Sequence, residues 1–407
     1  MDDLLPPHPR PHFGEKELIG FKYFGTLGKL LGRLHEHKQH PNRELHYDQY
    51  ATVLLLYFFN PVISSLRGLQ FATGLEKVQA ELGIKRTSLG SFSEASHVFD
   101  PQLLQSIFAQ LSSQACAADA LPRPQGLPEG LQVIIEDGTL LNALPRMVWA
   151  LWRLDQRAVT AHLQFNLFRA VPVTLELTPG QGSEKQVLEQ LLIAGCLYLI
   201  DRGYASYALF QKIMDAKSSF VCRVQDNTVY EVVKGNPLTP EAQKAGILED
   251  VQVRLGSLGT RENLSAPVRL IKVQVQVDPK LLFRAHYMQR ASANNHRVQQ
   301  EGGVIVLVTD RFDLPAELIA LLYKYRWQIE LFFRWFKCVL GCKHLLAESE
   351  NGIRIQLYVA LIASLLVVLW TGRKPTKRTL EIFQHHLNGW ATLEEVDKHI
   401  AGLKNAR

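Results

Sequence analysis

The sequence predicts an α/β protein in which a mixed sheet is flanked by helices. An α-helical N-terminal domain precedes the sheet, and a β-rich insertion interrupts it. Three observations carry this prediction. Apolar residues recur every three or four positions as far as residue 118, short apolar or alternating runs replace that pattern after residue 130, and four strand-like runs separated mostly by turns lie between residues 226 and 309. Strands that alternate with helices in the central part indicate a sheet covered by helices.

The N-terminal part is predicted to be helical from Leu18 to Ala118. Tyr50–Phe59 is one apolar run, which stops before Pro61, and Pro101–Cys116 is another. Residues 1–20 hold four prolines and predict no regular structure. The polar stretch Lys85–His97 fits either a surface loop or a helix N-terminus that faces phosphates.

The segment Leu121–Gly130 predicts a boundary, because it holds three prolines and two glycines. The sequence after it predicts three strands, then helix, strand, helix and strand. We expect these elements at Leu131–Ile135, Val159–Arg169, Val171–Leu177, Glu184–Ile193, Leu197–Ile200, Tyr204–Ala216 and Ser219–Val224. Beyond the insertion, Leu314–Leu340 predicts one long helix with a proline in its first turn, and Gly352–Trp370 predicts a second.

The composition excludes several classes of protein. The chain has 407 residues, of which 47% are hydrophobic and 21% charged, as in ordinary globular proteins of two to four domains. Its five cysteines are too few for a disulfide scaffold and indicate a reducing compartment. The N-terminus does not resemble a signal peptide, and the longest apolar stretch, Leu357–Trp370, is too short to span a bilayer. We therefore expect a soluble cytoplasmic protein without a membrane partner. The net charge of +6 permits a nucleic-acid partner but does not establish one.

Two aspartates follow apolar runs that predict central strands. Asp137 comes after Leu131–Ile135, and Asp201 comes directly after Leu197–Ile200. A carboxylate at the exit of such a strand lies where open α/β sheets place their ligands. Either residue alone also fits an aspartate of a turn or a helix cap.

A polar stripe runs along the long predicted helix. A helical wheel with about 100° per residue places five side chains on one narrow face: Tyr323, Arg326, Glu330, Arg334 and Lys337. Taken alone, the stripe fits a solvated face with weak ion pairs one turn apart. Together with the two aspartates, Glu330 completes a carboxylate cluster of the kind that binds hard divalent cations. Such cations can clamp a phosphodiester, and the positive side chains of the stripe can hold neighbouring phosphates.

The residues of this stripe resemble a known motif. Four of them match at every position the YREK motif of the insertion-sequence-four family of bacterial DDE transposases, namely Tyr323-x₂-Arg326-x₃-Glu330-x₆-Lys337. Asp137 in IIEDGT resembles the first catalytic aspartate of that family, and Asp201 in YLIDRGYAS resembles the second. The resemblance extends from about Leu131 to Trp370, and the predicted insertion lies where the family carries one.

The resemblance implies a ribonuclease-H-like fold and a specific activity on DNA. The enzyme would be a DDE transposase that cleaves insertion-sequence ends and joins the freed 3′-hydroxyl to target DNA, in a cut-and-paste reaction. Asp137, Asp201 and Glu330 would be catalytic and would bind two Mg²⁺ ions, or Mn²⁺ in their place. Tyr323, Arg326 and Lys337 would contact phosphates near the cleaved end, with Arg334 as a further DNA contact. The implied partners are double-stranded DNA, both terminal inverted repeats and target, and a second copy of the chain in a homodimer. The implied location is the bacterial cytoplasm, at the nucleoid.

These expectations define four predicted domains. They are a helical DNA-end-binding domain at 1–120, a ribonuclease-H-like catalytic domain at 131–225 and 304–371, a β-rich insertion at 226–303, and a basic, helical tail at 372–407. The residues leave two other functions open. One is a structure-specific nuclease with the same core, and the other is a DNA-binding relative that has lost activity, against which the intact triad argues.

The insertion departs from the family in one respect. Relatives that form a DNA hairpin hold a flipped base on a tryptophan in or just after the insertion, but Asp226–Asp310 contains none. We expect Phe283, His286 or Tyr287 to substitute for it; the alternative is that this enzyme resolves its ends without a hairpin.

Overall fold

The structure, a computed structural model, describes residues 30–37, 40–142, 147, 149–150, 152–153, 156–256, 264–275 and 303–405. Its helices are α1 Tyr47–Phe59, α2 Leu66–Ala72, α3 Glu76–Leu82, α4 Leu89–Val98, α5 Pro101–Gln114, α6 Glu184–Gln190, α7 Tyr207–Asp215, α8 Pro240–Lys244, α9 Ala316–Tyr325, α10 Trp327–Arg334, α11 Glu350–Thr371, α12 Lys377–Leu387 and α13 Leu393–Asn405. Its strands are β1 Gln132–Asn142, β2 Trp152–Arg153, β3 Gln156–Asn166, β4 Val171–Pro179, β5 Cys196–Ile200, β6 Ser219–Val224, β7 Tyr230–Gly235, β8 Ile247–Leu255, β9 Val268–Gln274 and β10 Val304–Thr309.

The chain divides into two compact units. The first unit contains the described chain up to Leu121, Gly138–Gly182 and the chain from Gln328 onward, and the second contains Pro122–Asp137 and Ser183–Trp327. The boundaries of these units do not follow the four predicted domains, so that division stays a prediction. The mixed α/β class that the sequence predicted is confirmed.

The second unit is built on a mixed sheet. Its strand order is β1-β5-β6-β10-β9-β8-β7, in which β1, β5 and β6 are parallel and the following pairs are antiparallel. All five residues of β5 are buried, as a continuous apolar run predicts for a central strand covered on both faces. Helix α7 packs on this sheet through Phe210, whose ring stacks on Phe220 of β6 at a centroid distance of 4.3 Å.

The first unit combines helices with the β3–β4 hairpin. Helix α11 packs against α5 through Tyr358 and Phe108, whose ring centroids lie 5.9 Å apart. The Tyr358 hydroxyl also donates to the Leu175 carbonyl of β4, at 3.2 Å. Trp370 near the end of α11 stacks on Phe383 of α12 at 4.3 Å. Helix α11 is thus the core around which the other elements of this unit pack.

Helix α11 is the one helix of the described chain that is long and apolar enough to cross a membrane. Within the protein, 89% of its most apolar window is buried. This burial fits the core helix that the sequence predicted at Gly352–Trp370.

Most predicted elements are present, although their extents differ. Strand β1 does not stop near Asp137 but continues to Asn142, because Thr139–Leu141 again favour an extended backbone. The long helix predicted at Leu314–Leu340 is interrupted at Arg326, and a π-helical turn, Trp335–Val339, follows α10. The polar stretch Lys85–His97 contains the N-terminus and most of α4, where the Ser88 hydroxyl accepts a 3.0 Å hydrogen bond from the Ser91 N–H.

Candidate active site

Asp137 and Asp201 lie at the same level on two adjacent strands. The parallel register of β1 and β5 pairs Ile135 with Leu199. Each aspartate stands two residues beyond its member of that pair, so the two carboxylates leave neighbouring strands side by side. Asp201 follows β5 directly and begins a 3₁₀ turn, Arg202–Tyr204. The sequence predicted this position for Asp201, whereas Asp137 lies within a strand rather than at its end.

Two residues of the YREK motif contact these aspartates, one each. The Tyr323 hydroxyl donates to Oδ1 of Asp201 at 2.9 Å. Nη1 of Arg326 lies 3.4 Å from Oδ2 of Asp137, in an ion pair whose side chains are 11% and 23% exposed. The Arg326 guanidinium also lies over the Tyr323 ring, 5.9 Å from its centroid. The helix is thus interrupted at Arg326, the residue that contacts both Asp137 and Tyr323.

The charge state of Asp201 follows from these contacts. Burial raises its pKa, but the Arg202 backbone N–H, the Arg326 charge, the Tyr323 hydroxyl and the Arg223 charge together lower the pKa below its ordinary value. Asp201 is therefore ionised at neutral pH. Burial, and after it the Asp201 charge, raises the pKa of Tyr323, so the phenol stays protonated and remains a donor.

Sequence reasoning did not single out Arg223. This residue of β6 carries one of the positive charges that lower the pKa of Asp201. Its side chain is half-buried, and its Nε is buried with no hydrogen-bond partner among the described residues. A signal was present, because Arg223 is a lone charge in the strand SFVCRV, next to the strand that leads to Asp201.

Trp327 is a second residue that sequence reasoning did not single out. It directly follows Arg326, and 53% of it is exposed. The insertion aromatics that the sequence offered for base stacking, Phe283, His286 and Tyr287, lie outside the described residues.

The rest of the motif lies in the first unit. Glu330 and Arg334 belong to α10, where Glu330 is half-buried and Arg334 is exposed. Lys337 lies in the π-helical turn after α10 and is half-buried. The structure thus brings Asp137, Asp201, Tyr323 and Arg326 together within the second unit, and the roles of Glu330, Arg334 and Lys337 stay predictions.

The two aspartates are the donors that a divalent cation would use. Among the described residues, no three His, Cys, Asp or Glu side chains form a group that could hold a metal ion. The aspartate pair nevertheless fits a hard cation in its chemistry, because it offers carboxylate oxygens on neighbouring strands and Asp201 is held ionised.

Comparison with known proteins gives a family match over the same region. The sequence model of a family described as "Transposase DDE domain" matches residues 128–366, more than half of the chain. This range includes both aspartates and the whole YREK motif.

Individual relatives are similar over part of their length. The putative transposase y4zB of Sinorhizobium fredii is 30% identical over 221 residues, which are 54% of this chain and 55% of that protein. The probable transposase for insertion sequence element IS5377 of Geobacillus stearothermophilus is 25% identical over 282 residues, or 68% of this chain and 64% of that protein. The matches thus span less than two thirds of these relatives.

The chain is also similar to one solved structure, a cryo-electron microscopy structure of a piggyBac transposase synaptic complex with hairpin DNA. Its TM-score is 0.42 at 11% identity, over 98% of this chain and 87% of that one.

Proposed function

The chain belongs to the family of transposases with a DDE domain, and on that premise we propose that it is a DNA transposase. It cleaves DNA at the ends of an insertion sequence and joins the freed 3′-hydroxyl to target DNA. The observation that carries this proposal is the pairing of Asp137 and Asp201 with two residues of the YREK motif, Arg326 and Tyr323.

The aspartates and Glu330 form the proposed catalytic centre. Transposases of this family use divalent metal ions. We assign two Mg²⁺ ions, with Mn²⁺ able to replace them, to the carboxylates of Asp137, Asp201 and Glu330. When bound, such ions activate the attacking hydroxyl and stabilise the leaving oxygen of a phosphodiester. Glu330 follows Arg326 by four residues and matches the glutamate of the YREK motif, which supports its place in this centre.

Tyr323 and Arg326 have two tasks in this proposal. Without DNA they hold the aspartates, neutralise part of their charge and keep Asp201 ionised. When DNA binds, the same phenol and guanidinium contact phosphates beside the cleaved bond, since both are donors of the kind that phosphate oxygens accept. Arg334, Lys337 and Arg223 add positive charge for the flanking phosphates.

The partners follow from the reaction. The chain binds double-stranded DNA, first the terminal inverted repeats and then the target, and two copies act together on paired ends. The helical N-terminal region carries recognition of the ends. The enzyme works in the bacterial cytoplasm, at the nucleoid.

The test uses the full chain, DNA from both flanks of its gene and a plasmid target. We expect cleaved ends and joined products in Mg²⁺, and neither product in Ca²⁺ or EDTA. Asp137→Asn, Asp201→Asn and Glu330→Gln should each abolish both products while DNA binding in Ca²⁺ is kept. Asp215→Asn, at an exposed aspartate that ends α7, is the matched control and should remain active.

Three outcomes would overturn the proposal. Cleavage without joining would favour the structure-specific nuclease. DNA binding without cleavage under any of these conditions would favour the inactive relative. Full activity of Asp201→Asn would remove the proposed centre itself.

A further inference from the structure

Tyr204 is a buried polar residue to which the proposed reaction assigns no role. It ends the turn that begins at Asp201, and its backbone N–H donates to the Asp201 carbonyl at 2.9 Å. Its side chain is 1% exposed, and its hydroxyl has no hydrogen-bond partner among the described residues. A buried hydroxyl without a partner is costly, so its surroundings call for an explanation.

Three carboxylates act electrostatically on this hydroxyl. Burial and then the negative charges of Glu136, Glu184 and Asp137 hold the pKa of Tyr204 well above its ordinary value. The phenol therefore stays protonated and can act as a hydrogen-bond donor. Glu136 exerts the largest effect of the three, is completely buried and directly precedes Asp137 on β1.

The turn that carries Tyr204 is also held from its other side. Glu184 lies against the backbone of Gly203, where an added Cβ would come within 3.3 Å of the Glu184 Oε2. Lys185 donates from Nζ to the Ala205 carbonyl at 2.9 Å. The start of α6 thus lies against the turn, while the Tyr204 side chain is buried.

We propose that Tyr204 is a positioning residue for the two aspartates. Its hydroxyl donates to the Glu136 carboxylate through one buried water and ties the turn after Asp201 to the part of β1 that carries Asp137. Two carboxylates that bind the same cations must keep a fixed spacing. The hydrogen bond of Tyr204 keeps Asp137 and Asp201 side by side. The inference rests on the proposed metal-dependent function and adds the residue that sets the geometry of the aspartate pair.

The test measures Mn²⁺ binding to the full chain by electron paramagnetic resonance, without DNA, together with the thermal melt. Tyr204→Phe keeps the ring and removes only the hydroxyl. We expect it to fold and to bind Mn²⁺ about tenfold more weakly, as is usual when a group that orients a metal ligand is lost. Tyr207→Phe, the same change three residues later on a half-exposed tyrosine, should bind like the wild type.

A second pair of variants tests the acceptor. Glu136→Gln keeps a side-chain oxygen and should retain most of the affinity, whereas Glu136→Ala should match Tyr204→Phe. The double variant Tyr204→Phe/Glu136→Ala should be no weaker than the weaker single variant, because both remove the same hydrogen bond. Additive losses would contradict the pairing.

The metal ligands themselves separate the two hypotheses. Asp137→Asn and Asp201→Asn should lose Mn²⁺ binding. If they do and Tyr204→Phe binds like the wild type, the positioning role is wrong and the proposed function stands. If the aspartate variants also bind like the wild type, the metal site is wrong and the inference falls with it.

Discussion

The phenol of Tyr323 donates a 2.9 Å hydrogen bond to Oδ1 of Asp201, although the two residues are 122 positions apart in the chain. Arg326, three residues later, makes the corresponding contact with Asp137 at 3.4 Å. Each aspartate thus has its own partner on one short stretch of helix. A change in the helix should therefore alter the chemistry of the aspartates, and this coupling can be measured.

Tyr323→Phe should shift the acid limit of metal binding. The Tyr323 hydroxyl is one of the groups that lower the pKa of Asp201, so its removal raises that pKa toward the ordinary value of about 3.9. In the wild type the carboxylate stays ionised to lower pH, whereas in the variant Mn²⁺ binding should be lost at a higher pH during acid titration. Tyr325→Phe, on the same helix, is the control. An unchanged acid limit would contradict this coupling.

Arg326→Gln should reduce both DNA affinity and its dependence on salt. A guanidinium that binds one phosphate contributes about 0.9 to the slope of log K against log salt, so the slope should fall by about that amount. The loss should be similar for unrelated DNA sequences, because a phosphate carries no sequence information. Lys324→Gln, at an exposed lysine of the same helix, is the control for charge. An altered sequence preference at an unchanged slope would argue for a contact to bases.

The sequence predicted the centre of this site because its signals are local. Asp201 follows a continuous apolar run, and Tyr323 and Arg326 are one helical turn apart. It predicted less well what depends on pairing across the sheet. Arg223 is a single charge in a strand and belongs to no motif with a fixed spacing. Its nearness to Asp201 arises from the pairing of β5 with β6. The wheel also assumed an unbroken helix, whereas the helix is interrupted at Arg326 and a π turn carries Lys337.

Arg223→Gln should weaken DNA binding without loss of the fold. Its half-buried guanidinium lies near Asp201, and because Nε is buried, the remaining guanidinium N–H groups are the donors for a phosphate. A charge-assisted hydrogen bond to phosphate is worth about 1.5–3 kcal/mol, so affinity measured in Ca²⁺ should fall by about tenfold or more. Arg254→Gln, at an exposed arginine of β8, should change affinity little. Equal losses of affinity in the two variants would show that only the overall charge of the protein matters.

His162 should make the stability of the protein sensitive to mild acid. The residue is completely buried in β3, its Nε2 lies 2.8 Å from the Thr178 hydroxyl, and burial lowers its pKa to about 4. The unfolded chain takes up the proton near pH 6.5 and the folded chain does not, so stability is complete above that pH and decreases toward pH 4. The decrease should reach roughly 2 kcal/mol by pH 5.

The measurement for His162 is the urea midpoint at pH 7 and pH 5, for the wild type and for His162→Gln. The variant lacks the titrating group and should lose less stability between the two pH values, although it is less stable at pH 7. His385→Gln, at an exposed histidine of α12, should lose as much as the wild type. Identical losses in the wild type and His162→Gln would show that other groups carry the acid sensitivity.

Trp327 should supply the tryptophan for base stacking that the insertion lacks. Hairpin formation at a cleaved end requires a base to leave the stack, at a cost of a few kcal/mol. Stacking on an aromatic ring returns about 1–3 kcal/mol per base, and 53% of Trp327 is exposed beside Arg326. Trp327→Ala should therefore reduce the yield of hairpin ends on a denaturing gel by about tenfold, while Trp327→Phe keeps part of it.

Trp390→Ala, at a tryptophan that is 79% exposed, is the matched control and should give the wild-type yield. If Trp327→Ala also forms hairpins normally while Phe283→Ala or Tyr287→Ala does not, the stacking role belongs to the insertion. Absence of hairpins from the wild type itself would mean that this enzyme resolves its ends by another route.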